Sequence, residues 1–154
     1  MEIALFAVAA AGGLWLAIVD AKTGRLPNSL MLPLYIAILG LTASMAITEF
    51  APARYGWALI GGVALSLFYL LLGLGGGVGL GDVKLAGILG FYLAWYGWSA
   101  PIAATLLAYA LAAPQALYVI IKRRRNPEIP KGVPFGPYMV AGALIVAGFA
   151  LVTA

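Results

Sequence analysis

The chain has 154 residues, of which 64% are hydrophobic and only 9% are charged, whereas soluble domains are about half apolar and about a quarter charged, so the composition indicates a membrane protein. It contains no cysteine and no histidine, which excludes disulfides, thiolate nucleophiles, Ser-His-Asp triads and histidine zinc sites, and we expect neither a metal nor an organic cofactor. The net charge of +4 does not indicate nucleic-acid binding, because the basic residues lie in short loops between apolar segments.

Six apolar segments follow one another along the chain, and a transmembrane helix needs roughly 20 such residues. They cover residues 3–19, 30–48, 57–74, 83–98, 101–121 and 138–154. Glu2 stands before the first segment, where a secretory signal would have basic residues. We therefore predict an all-α polytopic membrane protein with six transmembrane helices, forming a single domain over residues 1–154.

Lysine and arginine are distributed unequally between the two sets of predicted loops. The loops after the second and fourth segments contain only Arg54. The loops after the first, third and fifth segments contain the other eight: Lys22, Arg25, Lys84, Lys122, Arg123, Arg124, Arg125 and Lys131. Because basic residues collect in cytoplasmic loops, we predict that these three loops face the cytoplasm and that both termini lie on the other side. Residues 122–125 are expected to contact anionic lipid.

Asp20 and Asp82 are the two aspartates of the chain, and this topology places both at the cytoplasmic face. A carboxylate at a membrane boundary is costly to desolvate, so it is usually paired or functional. Two carboxyls that share one proton can activate a water and polarise a peptide carbonyl. An equal alternative is that Asp82 caps the fourth helix and Asp20 pairs with Lys22 or Arg25. Since Asp20 ends a helix and Asp82 begins one, the helix dipoles predict that Asp20 holds the shared proton.

Glycine fills five of the seven positions from Gly75 to Gly81, immediately before Asp82. Such a segment disfavours a helix and leaves the backbone open to close approach. We therefore expect Gly79 and Gly81 to bind an unwound peptide. Lys84 follows in the first turn of the next helix, where it either reaches lipid headgroups or helps to hold the substrate or the aspartates.

Three segments resemble motifs of the type IV prepilin peptidases, and they occur in the order found in that family. Residues 20–28, DAKTGRLPN, resemble the first aspartate motif. Residues 79–85, GLGDVKL, resemble the second, which is known as GxGD, and residues 134–138, PFGPY, resemble a segment near the end of family members. The likeness covers most of the chain, and it places the family's catalytic pair on Asp20 and Asp82.

The resemblance implies an aspartic endopeptidase of the bacterial inner membrane. Family members remove a short basic leader from prepilin or pseudopilin precursors on the cytoplasmic side, without a cofactor, in pilus biogenesis and secretion. Many also methylate the new N-terminus and hold a cysteine-containing domain ahead of the first aspartate. This sequence has neither that insertion nor any cysteine, so it resembles the short, peptidase-only members, and no N-methyltransferase activity is expected.

Two other functions stay open at this point. A presenilin-like GxGD protease would cut within membrane spans, and a small transporter subunit would use Asp20 and Asp82 as ion sites. Residues 134–137 are read as a rigid re-entry turn, with a position at the border of the active site as the alternative.

Overall fold

The computed structural model describes residues 1–76, 78–126 and 133–153, and within these ranges the chain forms six α-helices and no strand. The helices are α1 (Glu2–Thr23), α2 (Asn28–Thr48), α3 (Pro52–Leu74), α4 (Leu80–Ala94), α5 (Ser99–Arg125) and α6 (Gly136–Thr153). Each predicted segment overlaps one helix, so the all-α architecture is confirmed. Gly77 and Lys131, which entered the predictions above, lie outside the described residues.

Five helices, α1, α2, α3, α5 and α6, are long and apolar enough to cross a membrane, as expected of a multi-pass membrane protein. The helix α4 differs, because its 15 residues rise only about 22 Å, less than the roughly 30 Å of a hydrocarbon core. Its residues from Leu85 to Ala94 are all buried. The prediction that the fourth helix continues to residue 98 is wrong, since Gly97 has a φ of 135°, which favours glycine and does not continue a helix.

The helices α3 and α4 pack with their backbones close together. A Cβ built on Gly62 would meet the carbonyl oxygen of Gly87 at 3.0 Å, and one built on Gly90 would meet that of Gly61 at 2.7 Å. Small residues permit this approach, and membrane helices gain van der Waals contact from it. The packing fixes α4, and with it Asp82, against α3.

The described residues of the loops after α1, α3 and α5 lie at one end of the bundle, which we call the aspartate end. Leu26 of the first loop lies 3.2 Å from the position of a Cβ on Gly81. At the opposite end, the Arg54 guanidinium lies 3.1 Å from the Glu2 carboxylate, and its Nε donates to the carbonyl of Trp95 at 2.8 Å. The described parts of the three basic loops therefore lie at the same end, as predicted. Which side of the membrane each end faces stays a prediction.

Other helix boundaries also differ from the predicted ones by a few residues, and two of these differences have a clear physical reason. The helix α5 continues to Arg125, although residues 122–125 were expected in a loop. Cations in the last turn of a helix interact favourably with its macrodipole, and the Lys122 ammonium also lies 4.9 Å from the ring centroid of Tyr118. The helix α3 begins at Pro52 instead of residue 57, because proline is compatible with the first turn of a helix.

Candidate active site

Asp20 lies in the last turn of α1 and is only 5% exposed. The helix ends at Thr23, and the next residue, Gly24, has a left-handed φ of 60° and donates its N–H to the carbonyl of Asp20 at 2.7 Å. Among the residues that the structure describes, neither Lys22 nor Arg25 forms an ion pair with Asp20. The alternative in which Asp20 serves only as the partner of one of these cations is therefore not supported.

Asp82 lies in the first turn of α4. Its Oδ2 accepts a hydrogen bond from the N–H of Gly79 at 3.2 Å. Gly79 is thus the N-cap of α4, and Asp82 stabilises the start of its helix from the third helical position, as in one half of a capping box, so the reading of Asp82 as a helix cap is only partly correct. The cap occupies one carboxyl oxygen, so it is compatible with chemistry at the other.

A backbone amide from a distant part of the chain reaches Asp20. The N–H of Gly136, the first residue of α6, donates to Asp20 Oδ2 at 3.0 Å. A Cβ on Gly136 would lie 2.6 Å from the same oxygen, so the close approach requires glycine. Gly136, within the segment 134–137, therefore borders the site, in agreement with the alternative interpretation of that segment. The N-terminus of α6 also favours a charged Asp20, so helix dipoles no longer indicate which aspartate holds the proton.

Asp20 and Asp82 line one cavity of about 350 Å³ at the aspartate end. In the part of the chain that is described, hydrogen bonds from Gly79 and Gly136 leave Oδ1 of both carboxyls without a partner. Each carboxyl therefore has an oxygen available to a water or a peptide. The other residues that line the cavity are Gly24, Arg25, Leu26, Gly79, Leu80, Gly81 and Lys84. Three of these, Gly79, Gly81 and Lys84, were predicted as site residues.

Gly81 and Lys84 also have contacts within the protein. Gly81 provides the space in which Leu26 packs against the start of α4. The Lys84 ammonium donates to Oδ1 of Asn28 at 2.9 Å, so this exposed side chain joins α4 to the first residue of α2. Peptide binding by Gly79 and Gly81 stays a prediction.

Two tyrosines near Asp82 were not predicted from the sequence, and Phe135, from the segment 134–137, packs on both of them. Tyr69 of α3 stacks on Tyr109 of α5 with ring centroids 6.4 Å apart, and Phe135 lies 4.8 Å from the Tyr109 ring. Both tyrosines lie close enough to Asp82 for its charge to act on their hydroxyl groups. A single tyrosine within an apolar segment carries no signal that separates it from a core residue, which is why the sequence did not reveal them.

Burial raises the pKa of the Asp82 carboxyl to about 6; the hydrogen bond from Gly79 opposes this increase and the neighbouring Asp20 carboxyl adds to it. Asp82 precedes the buried part of α4 and lies outside the five spanning helices. A carboxyl with such a pKa can keep its proton while a neighbouring carboxyl is ionised. The two groups can thus act as one acid and one base.

The model of the type IV leader peptidase family matches residues 7–118 of this chain. Curated relatives have corresponding names. A prepilin leader peptidase/N-methyltransferase of Burkholderia pseudomallei (strain 1026b) is 40% identical over 132 residues, which cover 80% of this chain and 39% of the relative. One from Pseudomonas aeruginosa is 38% identical over 137 residues, covering 85% of this chain and 44% of the relative.

The chain therefore spans less than half the length of these two relatives. The leader peptidase HopD of Escherichia coli is nearer in extent, with 31% identity over 131 residues that cover 82% of this chain and 81% of HopD. No solved structure matches the chain.

Proposed function

This chain belongs to the type IV leader peptidase family, and on that basis we propose that it is a membrane aspartic endopeptidase that removes the leader of prepilin or pseudopilin precursors. The names of the relatives support a prepilin-type substrate. The names of two of these relatives also include an N-methyltransferase activity, which the proposal does not assign to this chain. That the chain lacks this activity stays a prediction.

The observation that carries this proposal is the cavity that Asp20 and Asp82 share, with Oδ1 of each available. With one proton between them, the ionised carboxyl takes a proton from a water, and the protonated carboxyl donates a hydrogen bond to the scissile carbonyl. The water oxygen attacks the carbonyl carbon. When the tetrahedral intermediate collapses, a proton passes from the carboxyls to the departing amide nitrogen.

We place the reaction at the cytoplasmic face of the bacterial inner membrane. The concentration of basic residues in the loops of the aspartate end supports this orientation. The leader would then approach from the cytoplasm, while the apolar helix of the precursor stays in the bilayer beside the enzyme. Gly79, Gly81 and Lys84 line the cavity and are the proposed peptide contacts.

Cleavage of a synthetic prepilin by the purified protein in lipid vesicles tests the proposal. We expect Asp20→Asn and Asp82→Asn each to lower kcat by on the order of a thousandfold or more, because each removes one half of the acid–base pair. Glu49→Gln is the matched control, since it neutralises a carboxyl at the opposite end of the bundle.

Full activity in either asparagine variant, with the protein still inserted in the membrane, would refute the proposed catalytic role of the two aspartates. Cleavage inside the apolar helix of the precursor instead of at its leader would favour the presenilin-like alternative.

A further inference from the structure

Two hydroxyl groups from neighbouring helices donate hydrogen bonds to the turn of α4 that carries Asp82. The hydroxyl of Tyr35, in α2, donates to the carbonyl of Lys84 at 3.0 Å. The hydroxyl of Ser66, in α3, donates to the carbonyl of Val83 at 3.3 Å. Both acceptors belong to the residues that directly follow Asp82, so both bonds act on the same helical turn as the carboxyl.

Gly87, one turn further along α4, makes room for both hydroxyls. A Cβ built on Gly87 would overlap both hydroxyl oxygens and would lie 2.5 Å from Oγ of Ser66. All three residues line a cavity of about 310 Å³ between α2 and α3. An alanine at position 87 would therefore break both hydrogen bonds while leaving both hydroxyl groups in the protein.

We propose that Tyr35 and Ser66 are positioning residues that fix the rotation of the first turn of α4 and so hold the Asp82 carboxyl in the cavity with Asp20. The bond between Gly79 and Asp82 cannot serve this purpose, because it lies within the turn and moves with it. Bonds from two different helices resist rotation of the turn about the α4 axis, since such a rotation would break both. The inference rests on the proposed function for the reaction that Asp82 performs.

Removal of each hydroxyl tests the assignment through kcat and KM for prepilin cleavage. An interhelical hydrogen bond in a membrane is weak, so Tyr35→Phe and Ser66→Ala are each expected to lower kcat about threefold without changing KM. Gly87→Ala, which displaces both hydroxyls, is expected to lower kcat about tenfold. Ser66→Thr keeps a hydroxyl and is expected to retain activity.

The chain offers matched controls for both substitutions. Ser44→Ala removes a hydroxyl that donates to the carbonyl of Leu41 at 2.7 Å, so the hydrogen bond that is lost lies within α2. Tyr118→Phe removes the hydroxyl of an exposed tyrosine of α5. Both controls are expected to cleave like the parent protein.

A second readout does not depend on cleavage. The chain has only two aspartates, so ¹³C-aspartate in an Asp20→Asn protein gives an infrared carboxyl band from Asp82 alone. A loosened turn admits water, so Tyr35→Phe and Ser66→Ala in this background are expected to lower the pH midpoint of that band. If the pH midpoint of the Asp82 band is the same with and without each hydroxyl in the Asp20→Asn background, the assignment is wrong. It is also wrong if kcat declines only in proportion to a loss of thermal stability. If the parent protein fails to cleave prepilin, the proposed function fails, whereas the band still decides whether these hydroxyls position Asp82.

Discussion

The backbone amide of Gly136 donates a hydrogen bond to Oδ2 of Asp20 at 3.0 Å, although the two residues are 116 positions apart. The bond joins the last turn of α1 to the first residue of α6. Because Asp20 is almost fully buried, this amide replaces a hydrogen bond that water would otherwise supply. It also fixes one carboxyl oxygen and leaves the other for chemistry.

We expect Gly136→Ala to lower the rate of the proposed cleavage without unfolding the protein. The new Cβ would lie 2.6 Å from Asp20 Oδ2, so the carboxyl must turn away or α6 must shift. Small misplacements of a catalytic group are costly, and a loss of kcat of about a hundredfold is expected. Cleavage of a synthetic prepilin, together with thermal unfolding followed by circular dichroism, measures both effects.

Gly40→Ala is the matched control for this substitution. Gly40 lies within α2, and a Cβ there would meet no atom within 4 Å among the described residues. Alanine favours a helix over glycine, so this variant is expected to be active and slightly stabilised. Equal losses of activity in both variants would contradict a specific role of Gly136.

The position of both aspartates at one end of the bundle could be predicted because it depends on local properties of the sequence. Hydropathy marks the segments, and the number of crossings then decides which loops meet. The glycines before Asp82 likewise predict where a helix must stop. The contact between Asp20 and Gly136 could not be predicted in this way, since it depends on how α1 and α6 pack.

The short length of α4 and the hydroxyl contacts to its first turn could not be predicted from the sequence either. Aromatic residues continue the apolar segment from Ala94 to Trp98, so composition did not show that α4 ends at Ala94, three residues before Gly97 with its φ of 135°. Tyr35 and Ser66 lie within apolar segments, where isolated hydroxyls follow no pattern. Their acceptors are backbone carbonyls, which every residue possesses, so nothing in the sequence identifies the pairs.

Cleavage is expected to decline as the pH rises through about 6. The pKa of Asp82 is raised to about 6, chiefly by burial, so above this pH the pair loses the proton that it shares. A bound substrate that closes the cavity would exclude water and raise the pKa of Asp82 further, so cleavage would decline at a higher pH. The pH dependence of kcat/KM reports the free enzyme and that of kcat the complex, so the descending limb of kcat should lie at the higher pH. A rate that increases steadily from pH 5 to pH 9 would contradict this role of Asp82.

The shared proton is expected on Asp82, although the sequence alone favoured Asp20. The pKa of the Asp82 carboxyl is raised to about 6, chiefly by burial, whereas the hydrogen bond from Gly136 favours the charged form of Asp20 and opposes the effect of its burial. In ¹³C-aspartate protein at pH 5.5, the protonated-acid infrared band should persist in Asp20→Asn and vanish in Asp82→Asn. The reverse result would restore the original assignment. The ionisable groups around Asp82 in these experiments are Asp20, Arg25, Tyr69, Lys84 and Tyr109.

The hydrogen bond from Lys84 to Asn28 predicts that the two residues act as a pair. It joins α4 to α2 beside the cavity, at 2.9 Å and in an exposed position, so its loss should lower kcat only about threefold. We expect Lys84→Met and Asn28→Ala to have equal effects and the double variant to be no worse than either, because coupled residues are not additive. Lys22→Met is the control, since it removes an exposed cation that does not line the cavity. If Asn28→Ala is neutral while Lys84→Met raises KM, then Lys84 contacts the substrate and its bond to Asn28 is incidental.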